Sequence, residues 1–185
     1  MRLFVSVDLP DELADPIRAL QDDLSEASGL RLTDPAQAHV TLVFLGDADS
    51  ERVPALKREI RAGVDDADLD PFELRFGGLG VFPDLEYISV VWLGVEAGGD
   101  SLTDLQAAIE NRTTAMGFEP DDHEFTPHVT LARMDHAGGK AHVQSLVRNR
   151  SPTIGSMAVT AVSLTESTLT RSGPKYETVD QFSLE

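Results

Sequence analysis

Two copies of one four-residue word hold the residues of this chain that are suited to chemistry. They are His39-Val40-Thr41-Leu42 and His128-Val129-Thr130-Leu131. In an extended strand, alternate side chains point to opposite faces. His39 and Thr41 therefore share a face, as do His128 and Thr130, while Val40, Leu42, Val129 and Leu131 turn the other way. Each copy offers an imidazole and a hydroxyl on one side and an apolar pair for a core on the other. Near neutral pH one imidazole can take a proton while another gives one. Two imidazoles on opposite sides of a phosphorus, with hydroxyls donating to its non-bridging oxygens, suit acid–base cleavage of a phosphodiester without a metal. A zinc site is the weaker rival, because two histidines are too few ligands and no third stands at a familiar spacing. A single histidine on a strand is ordinarily a core or surface residue. The repetition is what points to function.

The elements that must hold these words come in a repeating order. Residues 2–8 alternate as a half-buried strand. A helix follows over 11–27, with Asp11 as its cap, and then the first motif strand over 38–45. The order returns as an apolar strand over 88–95 and a helix over 101–116. Ser101 and Asp104 resemble a capping box for that helix, and the second motif strand follows it. A helix at 50–63 and an extended stretch from Phe72 to Leu79 lie between the copies. The tail reads as a short helix near 140–150, a long strand near 154–167 and a last strand near 175–183. Two copies of strand–helix–strand imply one pseudo-two-fold domain, with the motif strands in equivalent places in two lobes.

Composition narrows the class. The chain of 185 residues is 41% apolar, which suits one folded domain, and it has no apolar run of the roughly eighteen residues that a membrane span needs. The first residues lack the pattern of a signal peptide, so the expected location is the cytoplasm. With no cysteine there is no disulfide and no thiolate nucleophile. The net charge of −17 comes from 32 acidic residues spread along the chain, which points to the cytoplasm of a salt-loving cell. No basic stripe is visible, so a nucleic acid would have to be held inside a cleft by a few groups.

The sequence resembles the 2H phosphoesterases, named for paired His-x-Thr-x motifs, and most of all their RNA 2',3'-cyclic phosphodiesterase branch, the 2'-5' RNA ligase-like proteins. The likeness covers nearly the whole chain. It is carried by Leu3-Phe4-Val5-Ser6-Val7-Asp8-Leu9-Pro10, by Ala38 to Gly46, by Phe125 to Arg133, and by a tail from Leu164 to Tyr176. The resemblance implies an α+β, bilobal pseudo-two-fold fold, each lobe an antiparallel sheet with helices outside and a central cleft. It implies hydrolysis of a terminal 2',3'-cyclic phosphate to a 2'-phosphomonoester, with His39 as proton donor and His128 as proton acceptor. No cofactor or metal is expected. The expected partner is RNA with a 2',3'-cyclic phosphate end, tRNA fragments being one case, bound by a monomer without any membrane.

Further residues are candidates for the substrate. Thr41 and Thr130 stand beside the histidines. Arg133 suits phosphate oxygens but lies on the opposite face of an ideal strand, so a bulge or its place at the strand end must return it. Phe4 would stack a base if exposed, although core packing is the plainer role, and Tyr176 would hydrogen-bond the substrate, although strand packing is the plainer role there too. Trp92 is expected in the core, and His123, His136 and His142 are given no role. Two rival readings remain: action on small cyclic nucleotides or 2'-5' linked oligonucleotides, and an RNA-end binder without turnover.

Overall fold

The computed structural model describes residues 1–184. Nine strands form one antiparallel sheet: β1 (Arg2–Asp8), β2 (Leu30–Leu32), β3 (His39–Asp47), β4 (Phe72–Pro83), β5 (Ile88–Ala97), β6 (His128–Met134), β7 (Thr153–Val159), β8 (Ala161–Thr170) and β9 (Gly173–Ser183). Four helices accompany them: α1 (Ala14–Leu24), α2 (Val53–Ala67), α3 (Gly99–Ala115) and α4 (Lys140–Asn149). The strand order is β7-β4-β5-β6-β3-β1-β8-β9, with β2 added to β6. The two motif strands are neighbours at the centre, and they pair at one position, Val40 with Val129. On one side of that seam lie β3, β1, β8 and β9, and on the other β6, β5, β4 and β7 with the short β2. No helix among the described residues is long and apolar enough to cross a membrane.

The sequence repeat and the two lobes do not coincide. The last strand of the first half, β4, pairs with β5 in the second lobe, while β8 of the second half pairs with β1 in the first. The helices cross as well. α1 packs on β6, β7 and α4, and α3 packs on α2 and β3. Each lobe therefore buries apolar faces from both halves of the chain in one continuous core, and neither half could cover its own sheet alone.

Several local expectations need correction. The stretch 154–167 is two strands interrupted at Thr160, one at the outer edge of the second lobe and one in the first. β1 is buried on both faces rather than one, because Phe4 and Ser6 are covered by neighbouring side chains within the lobe. Asp11 sits in a short 3-10 turn ahead of α1, with no side-chain cap there. α3 starts at Gly99, which puts Ser101 inside the helix rather than at its cap. Its entry is made by Gly98 at φ +89° against the backbone of Glu73, a place without room for a side chain.

Candidate active site

The two motif strands share one pattern of burial, residue by residue. In both, the histidine and threonine are half-buried and the valine and leucine are buried. Antiparallel pairing at Val40–Val129 sets His39 across from Thr130 and Thr41 across from His128. All four polar side chains then lie on one face, along the seam between the lobes.

The imidazoles are anchored alike. Nδ1 of His39 lies 2.9 Å from the carbonyl of Gln37, and Nδ1 of His128 lies 2.7 Å from the carbonyl of Thr126. A carbonyl can only accept, so each Nδ1 carries the hydrogen and each Nε2 is left to exchange a proton. Sequence reading missed these two carbonyls; the signal available was the residue two places before each histidine, which reaches back along the same strand face. The hydroxyls of Thr41 and Thr130 have no partner among the described residues.

Burial pushes both imidazoles below their ordinary value, and the anchoring carbonyls oppose it. The remaining influences differ in sign. The Asp8 carboxylate draws His39 upward. His39 and Arg133 push His128 further down. The two imidazoles are close enough for the charge of His39 to act on His128.

Each ring also has its own aromatic support. His39 stacks on Phe4, with ring centroids 5.0 Å apart, and takes Tyr176 edge-on at 5.1 Å. His128 meets Phe82 edge-on at 4.9 Å and lies 5.9 Å from Trp92. Phe4 is only 4% exposed, so it is not a surface on which a base could stack, and its work is to hold His39. Tyr176 is likewise packed against that ring, and burial raises its hydroxyl pKa. Trp92 is a wall beside His128 rather than an interior core residue, and its ring fits because Gly80 leaves the space a Cβ would fill.

Arg133 is brought back to the site. Between Val91 and Trp92 of β5 the partner strand skips Leu131, so β6 bulges there. A bulge places two successive side chains on one face and reverses the alternation beyond it. Leu131 and Ala132 are both buried, and Arg133 emerges on the face of His128 and Thr130. Its charge reaches both His128 and Tyr176. The carbonyl freed by the bulge is held by Gln21 Nε2 at 3.1 Å, by Thr33 Oγ1 at 3.1 Å and by the Thr33 N–H at 3.0 Å. Gln21 is buried on α1, and its role was not visible in the sequence.

The first lobe has the same bulge, at Leu42. There it turns out Phe44, which is 54% exposed with the Arg2 guanidinium over its ring. Phe44, not Phe4, is the aromatic surface on this face. Arg2 and Arg133 have no carboxylate partner among the described residues, whereas Arg31, Arg61 and Arg112 on other surfaces are ion-paired.

A cavity of about 180 Å³ beside His39 is lined by Asp8, Gln37, Tyr176 and Thr178 among others. A larger one, about 560 Å³, lies on the far side of Asp8 near Glu12 and Glu73. That larger space is acidic and lacks both histidines, so it suits an anion poorly. No group of three or more His, Asp or Glu among the described residues could hold a metal ion.

Residues 9–170 match the profile of the 2'-5' RNA ligase superfamily. An RNA 2',3'-cyclic phosphodiesterase of Methanothermobacter thermautotrophicus is 34% identical over 186 aligned positions, spanning 100% of this chain and 99% of that one. One of Aquifex aeolicus is 33% identical over 153 positions, 82% of this chain and 80% of the other. Among solved structures, a protein of Thermus thermophilus superposes with a TM-score of 0.81 at 29% identity, covering 100% of this chain and 98% of its own. Escherichia coli LigT complexed with 3'-AMP gives 0.76 at 25% identity, over 98% and 97%.

Proposed function

The chain belongs to the 2'-5' RNA ligase superfamily, the 2H phosphoesterases, and on that footing we propose that it is an RNA 2',3'-cyclic phosphodiesterase. The observation that carries this reading is the matched pair of imidazoles. Each has Nδ1–H tied to a carbonyl and Nε2 free, on a common face with two unengaged hydroxyls.

In the proposed reaction, Nε2 of His128 takes a proton from water as its oxygen attacks phosphorus. The bond from phosphorus to the 3' oxygen breaks. Protonated His39 gives its Nε2 hydrogen to that oxygen, leaving a 2'-phosphomonoester and a free 3' hydroxyl. Thr41, Thr130 and Arg133 hydrogen-bond the non-bridging oxygens, where negative charge grows. No step requires a metal. The opposite charges beside the two imidazoles, Asp8 near His39 and Arg133 near His128, support this direction of proton transfer. The exposed Phe44 ring supports a nucleoside substrate, since a base can lie on it at little cost in specificity. Tyr176 contributes by fixing His39.

Away from the cleft the surface is acidic, which supports recognition of the RNA end rather than of a long duplex. We place the protein in the cytoplasm of a salt-loving cell, acting as a monomer on RNA ends, tRNA fragments among them. The test is hydrolysis of an oligoribonucleotide ending in a 2',3'-cyclic phosphate, with EDTA present, beside a small cyclic nucleotide and a 2'-5' linked dinucleotide. Cleavage of the first to a 2'-phosphate is the expected result. Binding without turnover would sink the reading.

A further inference from the structure

We propose that Asp8 is a positioning residue that decides which of the two imidazoles holds the proton, keeping it on His39 and leaving His128 as the base. The inference rests on the phosphodiesterase reading above and adds to it the group that breaks the symmetry of the pair.

Its basis is the residue directly across the ladder from each histidine. On β1, Asp8 is the register partner of His39. On β5, the register partner of His128 is Gly94. Directly opposed residues in an antiparallel pair have their side chains on one face, a few ångström apart. Asp8 and His39 also line the same small cavity. The lobes thus agree at the imidazole, at the carbonyl beneath it and at the neighbouring hydroxyl, and differ at the facing position.

The carboxylate is held in place. Ser6 Oγ donates to one oxygen at 3.0 Å and Ser163 Oγ to the other at 3.0 Å. Both serines are buried. Asp8 has no ion-pair partner among the described residues, so no basic group cancels its charge. The second lobe has none of this apparatus: Trp92 and Gly80 are the facing pair where the first lobe has Ser6 and Ser163. Nor can a carboxylate be accommodated at Gly94, where a Cβ would meet the Gly77 carbonyl oxygen at 2.9 Å.

The other charged or titratable neighbours do not offer the same control. Tyr176 packs on His39 from β9, and burial raises its hydroxyl pKa, so its anionic form is scarce and it sets no charge beside the imidazole. From β6, the positive charges of Arg133 and of protonated His39 act on His128 and oppose a second proton there. Among the described residues, Asp8 is the acidic side chain whose charge bears on His39.

The test is Asp8→Asn, which keeps the shape and removes the charge. In the kcat/KM profile against pH, the acid limb reports the base losing its proton and the alkaline limb reports the acid losing its own. The alkaline limb should move to lower pH by about half a unit to one unit, and the acid limb should stay. Above the optimum, the rate should fall about threefold to tenfold. Asp8→Glu should return the limb toward its wild-type position. A uniform loss at every pH, with both limbs unmoved, would overturn the proposal.

A proton NMR titration of the His39 ring in the substrate-free protein separates this proposal from the functional reading. A lower His39 pKa in Asp8→Asn upholds the coupling even if the wild-type protein cleaves no cyclic phosphate. An unchanged His39 pKa overturns it even if cleavage is brisk. Ser163→Ala, which removes one hydrogen bond from the carboxylate, should shift the same titration in the same direction by less.

Discussion

Phe44 and Arg133 occupy the same place in the two lobes. Each lies five residues past its motif histidine, beyond a bulge at the motif leucine, on the face that carries the imidazole. One lobe sets an aromatic ring there and the other a guanidinium. The same division recurs around the histidines, where Asp8 faces His39 and Gly94 faces His128. The backbone geometry repeats between the lobes while the facing side chains differ in charge. Geometry supplies two equivalent imidazoles, and the charges beside them act on them in opposite directions.

Each prediction strains that comparison at a different point. The largest effect should come where the lobes are alike. Either His39→Ala or His128→Ala should lower kcat for a cyclic-phosphate end by about 10²–10⁴-fold, because neither imidazole can replace the other across the phosphorus. A double variant retaining wild-type rate would end the two-histidine mechanism.

Next come the positions where the lobes differ. Arg133→Ala should lower kcat about a hundredfold, since its charge acts on the transition state. Phe44→Ala should raise KM about tenfold and leave kcat nearly unchanged, as the loss of one stacked base would. Steady-state kinetics on one substrate would measure both. If the two variants gave the same kind of loss, the division of labour between the lobes would be wrong.

A smaller effect should follow from loosening the bulge in one lobe. Gln21→Ala leaves the Leu131 carbonyl without one of its donors, so stability should fall by about 1–3 kcal/mol in urea denaturation. Activity should change in the manner of Arg133→Ala, only less.

The pH response should be gentler still. Both imidazoles bind a proton less readily when folded, so the unfolded chain takes up more protons as pH falls through the ordinary value of 6.5. The contribution of these two groups to stability is therefore complete above that value and is lost below it. Melting temperature followed from pH 8 to about pH 5 should decline on this account. For the same reason, the kcat/KM optimum of the free enzyme should lie on the acid side of 6.5.

Much of the site was legible in the chain because its rule is local. Alternation puts an imidazole and a hydroxyl on one face of any extended His-Val-Thr-Leu, and the burial of both copies follows it. Phe4 takes the plainer of the two roles its type allowed, packing, because His39 and Tyr176 from distant strands bury it. The stretch 154–167 misled because Thr160 interrupts it without a glycine or proline to mark the break.

By itself, then, the sequence determined the two motif strands, the residues on each face and the pairing of imidazole with hydroxyl, since these depend on backbone geometry a few residues long. Tertiary structure decided the exchange of β4 and β8 between lobes, the bulge that turns Arg133 to the cleft, and the placing of Asp8 opposite His39. Those depend on which strand lies alongside which and in what register. Gln21 and Thr33 reach the Leu131 carbonyl from about a hundred residues away, and only the packing of α1 on β6 brings them there.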